Sequence, residues 1–201
     1  IITTADTEID SYLEEFAECY DNVELDREIF PSGSVSSTGI VSKKEYHRIR
    51  MKNKDKKVLN PIRESLTKIG VFGNKHIPES YMRASEHDRL RLLAGLLDTD
   101  GYLYSHESHN CFMFSQCEDR RELVEQVRDL AQSLGITGLG IVEVTRVPEG
   151  DRETFRTGQT ERRQYCLRLS GSRIRDIPCL IERKKASKHV ADHTFFDSNT
   201  S

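Results

Sequence analysis

Two carboxylates, Asp98 and Asp100, stand where an apolar run from Leu90 to Leu97 gives out. The run reads as a helix. Ser85 with Asp88 three residues on is a capping-box-like start. Leu90, Leu93, Ala94 and Leu97 fall on one face, and Leu92 and Leu96 on a second. Acids at a helix C-terminus oppose its dipole by a few tenths of a kcal/mol to about 1 kcal/mol. A local rule broken in this way marks a candidate functional site. A bound divalent cation reverses the sign of the penalty, and hard oxygen ligands suit Mg²⁺, which also binds phosphates. Two decoys lie close by. His106, His109 and Cys111 offer zinc-like donors, but only Cys117 is near enough to suggest a fourth. Asp98, Asp100, Gly101 and Glu107 mimic an EF-hand loop, yet its first ligand position falls on Leu96, which cannot ligate.

The elements that must hold such a site repeat along the chain. Ile9, Leu13, Phe16, Ala17 and Tyr20 have helical spacing, and Leu123, Val127, Leu130, Ala131 and Leu134 repeat it further on. Strand-like runs precede each, at residues 1–4 and 112–116. Ile49 and Met51 sit on an alternating strand, as do Leu167 and Leu169. Asn60-Pro61 and Ile177-Pro178 then each predict the start of a further helix. Turn residues at Pro31-Ser32-Gly33 and Pro148-Glu149-Gly150 separate the strands of two hairpins. The order strand, helix, hairpin, helix occurs twice, which predicts an α+β protein of two similar halves with pseudo-twofold symmetry.

The chain has 201 residues and a net charge of −3. That sum hides strong local imbalance. Residues 1–30 hold ten acids and one base, Arg27, whereas residues 41–75 hold eleven bases and three acids. Arg48, Arg50 and Lys52 alternate with Ile49 and Met51, so a strand here puts its bases on one face, with Lys54 beyond. A sheet with a basic face can lie against a phosphate backbone. No window approaches the length of a membrane span, and residues 1–10 lack the pattern of a signal peptide. The five scattered cysteines form no Cys-x-x-Cys pair, as expected of a reduced, intracellular protein; a nuclear setting is compatible.

The segment Leu93-Ala94-Gly95-Leu96-Leu97-Asp98-Thr99-Asp100-Gly101 resembles the signature of the LAGLIDADG, or dodecapeptide-type, homing endonucleases. Lys75-His76-Ile77-Pro78 resembles the Lys-x-Ile-Pro block shortly before the second such motif in intein-borne members. The likeness extends over roughly residues 1–190 and is greatest to the endonuclease domains of fungal inteins. It implies two αββαββα-type repeats, each with an antiparallel DNA-facing sheet, at residues 1–83 and 84–190, with a tail at 191–201.

The resemblance also implies roles. Asp100 is the metal ligand and catalytic acid, served by Mg²⁺ or Mn²⁺, and Asp98 is a structural group of the helix end. Lys75 matches an active-site lysine, and Lys185 or Lys184 its symmetry mate. Ala94, Gly95, Asp98 and Gly101 belong to the packing of paired motif helices; Ala94 and Gly95 are small enough for close approach. Arg48, Arg50, Lys52, Lys54, His106, His109 and Arg168 are expected to meet DNA. The implied activity is metal-dependent, site-specific hydrolysis of double-stranded DNA at a long asymmetric target. No small-molecule substrate or membrane is implied, and a host protein flanks the element. Only one signature is present, so the first repeat is expected to lack its leading helix and the chain to be a fragment or a truncated form. The alternative is a non-cleaving DNA- or RNA-binding relic of the same fold. Ile1 and the terminal Asn199-Thr200-Ser201 lack splicing residues, so self-splicing is not expected.

Overall fold

In a computed structural model, the described residues are 2–35, 41–106, 109–147 and 160–186, and the side chains of residues 106 and 109 lie outside the description. The chain is α+β with antiparallel sheets, and it divides into two units, Ile1–Asn74 and Lys75–Ser201. Ile77 is buried in the core of the second unit. No helix among the described residues is long and apolar enough to cross a membrane.

The first unit begins with strand β1 (Ile2–Thr4) and helix α1 (Thr7–Glu18). Strands β2 (Val23–Phe30) and β3 (Tyr46–Asn53) follow, then helix α2 (Pro61–Lys68). The sheet order is β1-β3-β2, all antiparallel. Leu13 and Ala17 of α1 are buried with Val23 and Ile49 of the sheet, as the helical and alternating spacings predict. Asn60 caps α2 by accepting hydrogen bonds from the amides of Ile62 and Arg63, both at 3.1 Å, and Pro61 takes the first turn where no amide is needed. Helix α2 itself buries none of its residues.

The second unit opens with the short helix α3 (Glu79–Met82) and the motif helix α4 (Glu86–Asp100). Ser85 caps α4 by accepting from the Asp88 amide at 3.2 Å. Strands β4 (Gly101–His106) and β5 (His109–Cys117) form a hairpin. Helix α5 (Arg121–Ser133) leads to β6 (Thr137–Gly138), β7 (Val142–Arg146) and β8 (Arg162–Ser170). The sheet order is β4-β5-β8-β6, with β7 also pairing β8. Leu93, Ala94 and Leu97 of α4 and Leu123, Val124, Val127, Leu130 and Ala131 of α5 cover one face of the sheet. They pack there with Phe112, Phe114, Leu167 and Leu169.

The run β1-α1-β2-β3 has the same order, and the same central last strand, as β5-α5-β6/β7-β8. The helix expected after Ile177-Pro178 is not formed. Residues 177–181 form no regular element between short 3₁₀ turns at Ser172–Asp176 and Glu182–Lys184. There the amides of Leu180 and Ile181 donate to the carboxylate of Asp98 on α4.

Candidate metal-binding helix end and nucleic-acid face

The two acids that end α4 have opposite environments. Asp98 is buried, and its Oδ2 and Oδ1 accept from Leu180 N at 2.8 Å and Ile181 N at 3.3 Å. Lys184 is buried beside it and donates its Nζ to the carbonyls of Leu97 at 2.9 Å and Asp98 at 2.6 Å. A cation thus caps the carbonyls that a helix C-terminus leaves without partners. The thiol of Cys179 is pushed up to about 12, first by burial and then by the Asp98 carboxylate, so it stays neutral. Asp98 and Lys184 therefore form a clasp between α4 and the last described segment.

Asp100 is exposed, and its Oδ2 accepts from Gln116 Nε2 at 3.0 Å. Nothing in the sequence marks Gln116, because a single amide at a strand end carries no pattern. The next residue, Gly101, enters β4 with no intervening loop; a Cβ there would lie 2.6 Å from the Leu97 carbonyl oxygen. Only glycine permits the chain to pass from helix to strand so abruptly, which is the role of this motif position in the unit. Ala94 is buried in the unit's own core, whereas a Cβ on Gly95 would meet nothing within 4 Å. Of the small pair, Gly95 alone keeps an open face.

The lysines separate as well. Lys185 is half exposed and pairs with Glu182 at 2.6 Å, whereas Lys184 is held by the helix carbonyls. Lys75 is exposed at the start of the unit. Neither Lys75 nor Lys185 forms an ion pair with Asp100 among the described residues.

The donor set suits a hard cation. The exposed carboxylate of Asp100 is an oxygen ligand of the kind Mg²⁺ or Mn²⁺ takes, and the Gln116 amide beside it donates to that carboxylate. Mg²⁺ is commonly held by one or two carboxylates, with water and substrate phosphate completing its shell. The described residues hold no group of three or more His, Cys, Asp and Glu able to bind a metal, so Asp100 is a partial site.

The face of the second sheet opposite the helices follows from register, since directly paired residues share a face. Tyr102, Met113 and Arg168 align across β4, β5 and β8. Ser115, Cys166 and Val142 align on the same side, and Arg162 lies opposite Arg146. Arg146 Nε donates to Gln164 Oε1 at 2.9 Å, and Gln164 Nε2 to Ser115 Oγ at 2.8 Å. Arg168 is exposed, as are Tyr102 and Tyr104. Glu143, the acid of β7, lies on the other side with Tyr165. Three arginines and two tyrosines thus share a face to which, among the described residues of these strands, no acid contributes. Arg168 was expected there; Arg146, Arg162, Tyr102 and Tyr104 were not. The side chains of His106 and His109 lie outside the described residues, although their backbones pair.

The first sheet contradicts the simple expectation of an open basic face. Arg48, Arg50 and Lys52 do share a side of β3, but each lies opposite an acid of β2: Glu28, Asp26 and Glu24. Lys52 Nζ is 2.6 Å and Arg50 3.3 Å from Asp26, and Arg48 is 3.0 Å from Glu28. Hydrogen bonding from Lys52 holds the Asp26 carboxyl below its usual range. Lys54 lies past the strand and donates to the Asp21 carbonyl at 2.9 Å.

No protein-family model matches the chain. Over 70 residues it is 49% identical to a replicative DNA helicase DnaB of Mycobacterium intracellulare. The match covers 35% of this chain and 11% of the helicase.

Proposed function

We propose that the chain belongs to a metal-dependent, site-specific DNA endonuclease of the LAGLIDADG kind, of the sort carried inside a host protein as part of an intein. The observation that carries this reading is the division of labour at the end of α4. Asp98 is consumed inside the fold, and Asp100 two residues on is left exposed with an amide beside it. The two runs of strand, helix and paired strands support the pseudo-twofold fold. A match confined to 11% of a DnaB helicase fits an element carried within a longer protein.

In this reading, Asp100 would hold Mg²⁺ or Mn²⁺ through its carboxylate, and the bound ion would supply Lewis acidity and lower the pKa of water. Gln116 fixes the orientation of Asp100 by its hydrogen bond. Hydrolysis adds water across a P–O bond, so the attacking oxygen loses a proton and the leaving oxygen gains one. In the same reading, Lys185, half exposed and paired with Glu182, and the exposed Lys75 are the cations assigned to the developing negative charge. Arg168, Arg146 and Arg162 hold phosphates of the duplex. Tyr102 and Tyr104 offer apolar contact beside them.

A second reading, a binding protein that does not cleave, is favoured by the partial donor set at Asp100. Mg²⁺-dependent cleavage of duplex separates the two. Both readings require duplex binding through the arginine face. Replacing Arg168 by Ala should weaken binding of a random-sequence duplex uniformly and lower the salt slope by about 1. A slope equal to that of the unmodified chain would remove Arg168 from the interface.

A further inference from the structure

The bases of β3 are the strongest nucleic-acid signal in the sequence, and the fold places an acid against each of them. We propose that Glu24, Asp26 and Glu28 act as a built-in electrostatic brake on polyanion binding. They neutralise the basic strand, so that the first sheet adds no net attraction for a phosphate backbone. The arginines of the second unit then carry the affinity. The identity of the partner rests on the nucleic-acid reading above; the brake itself does not.

Three observations support it. The register is one to one, Glu24 with Lys52, Asp26 with Arg50 and Glu28 with Arg48, so the face carries equal numbers of each sign. The pairs also cross: Asp26 meets both Lys52 and Arg50, and Arg50 reaches Glu28 at 3.6 Å as well. Arg48 is doubly engaged, since its guanidinium also stacks 4.7 Å from the ring of Phe30, itself stacked on Tyr46. An exposed ion pair is individually weak, so a phosphate can displace one. The displaced carboxylate, however, remains on the same face as the incoming phosphate, and its repulsion cancels much of the gain. Among the described residues, the strands of the second sheet put no such row of acids on its outer face. The two faces therefore differ in net charge although both are rich in arginine.

The test uses heparin chromatography and a random-sequence duplex of about 30 base pairs, titrated with salt. The Asp26→Asn/Glu28→Gln variant keeps shape and removes two charges. It should elute from heparin at higher salt, bind duplex about threefold to tenfold more tightly, and steepen the salt slope by about 1 to 2. Glu28→Gln alone should show a smaller shift in the same direction. Removing a matched pair, Asp26→Asn with Arg50→Gln, should leave elution where it was. Glu15→Gln/Glu18→Gln on α1 makes the same charge change away from the basic strand and should shift elution far less. Equal shifts for the β2 and α1 variants, or no shift for the β2 variant, would overturn the brake. A heparin shift without duplex binding would strike the nucleic-acid partner and leave the brake standing. Duplex binding without a shift would do the reverse.

Discussion

Asp98, Lys184 and Asp100 lie within one turn of a helix end, yet their roles diverge because their surroundings differ. Asp98 spends its carboxylate on two backbone amides, and Lys184 its ammonium on two carbonyls. Removing the Lys184 charge while keeping its length, as in Lys184→Met, leaves the carbonyls of Leu97 and Asp98 buried without that donor. The expected cost is about 1–3 kcal/mol, read as a fall in the denaturation midpoint. Lys185→Met, by contrast, breaks an exposed pair with Glu182 and should cost under about 1 kcal/mol. Equal losses for the two would show that the clasp does not hold the helix end. The doublet Lys184-Lys185 was legible as a feature, but its division was not. Which lysine turns inward depends on the 3₁₀ turn at Glu182–Lys184, and no periodicity announces a single turn.

At the scale of elements, helix α1 is pinned to the sheet by Asp10, with Glu14 also 3.4 Å from Arg27. Asp10 accepts from Arg27 Nε at 2.7 Å, and its other oxygen lies 2.8 Å from His47 Nδ1. Burial alone would raise Asp10, but the hydrogen bonds from Arg27 and His47 bring it below its ordinary value. The bond to Asp10 raises His47, against the opposing effect of burial. A histidine raised in the folded state contributes stability that is complete below about pH 6.5 and is lost as pH rises through its folded pKa. A lowered Asp10 contributes above about pH 3.9 and loses that contribution as pH falls. The attachment is therefore strongest from about pH 4 to 6.5. The unfolding midpoint should fall as pH rises above about 6.5, and His47→Gln should flatten that dependence. An unchanged pH dependence would remove His47 as its source. The strands and helices themselves were read correctly wherever apolar spacing repeats, as for α1, α4, α5, β3 and β8. What spacing could not show is register across β2 and β3. The chain between those strands decides which residue faces Arg50, and a shift of one residue would have turned Asp26 to the other side of the sheet.

At the scale of the molecule, the two units repeat an order of elements but not a core. Among the described residues, four apolar side chains are buried in Ile1–Asn74 and twenty-one in Lys75–Ser201. Stability and the candidate chemistry therefore concentrate in the second unit, which holds α4, Asp100 and the arginine face. The near-neutral charge of the whole chain also resolves by position: one sheet cancels its own charge and the other does not. The central claim, that Asp100 serves DNA hydrolysis, is tested most directly by cleavage. The natural protein containing this chain is incubated with a randomised duplex library and Mg²⁺, beside its Asp100→Asn variant of equal stability and equal duplex affinity. Double-strand cuts at a defined sequence, lost in the variant and lost when Mg²⁺ is chelated, are the expected result. Cuts of equal frequency in the variant, or none in the unmodified protein, would contradict the account.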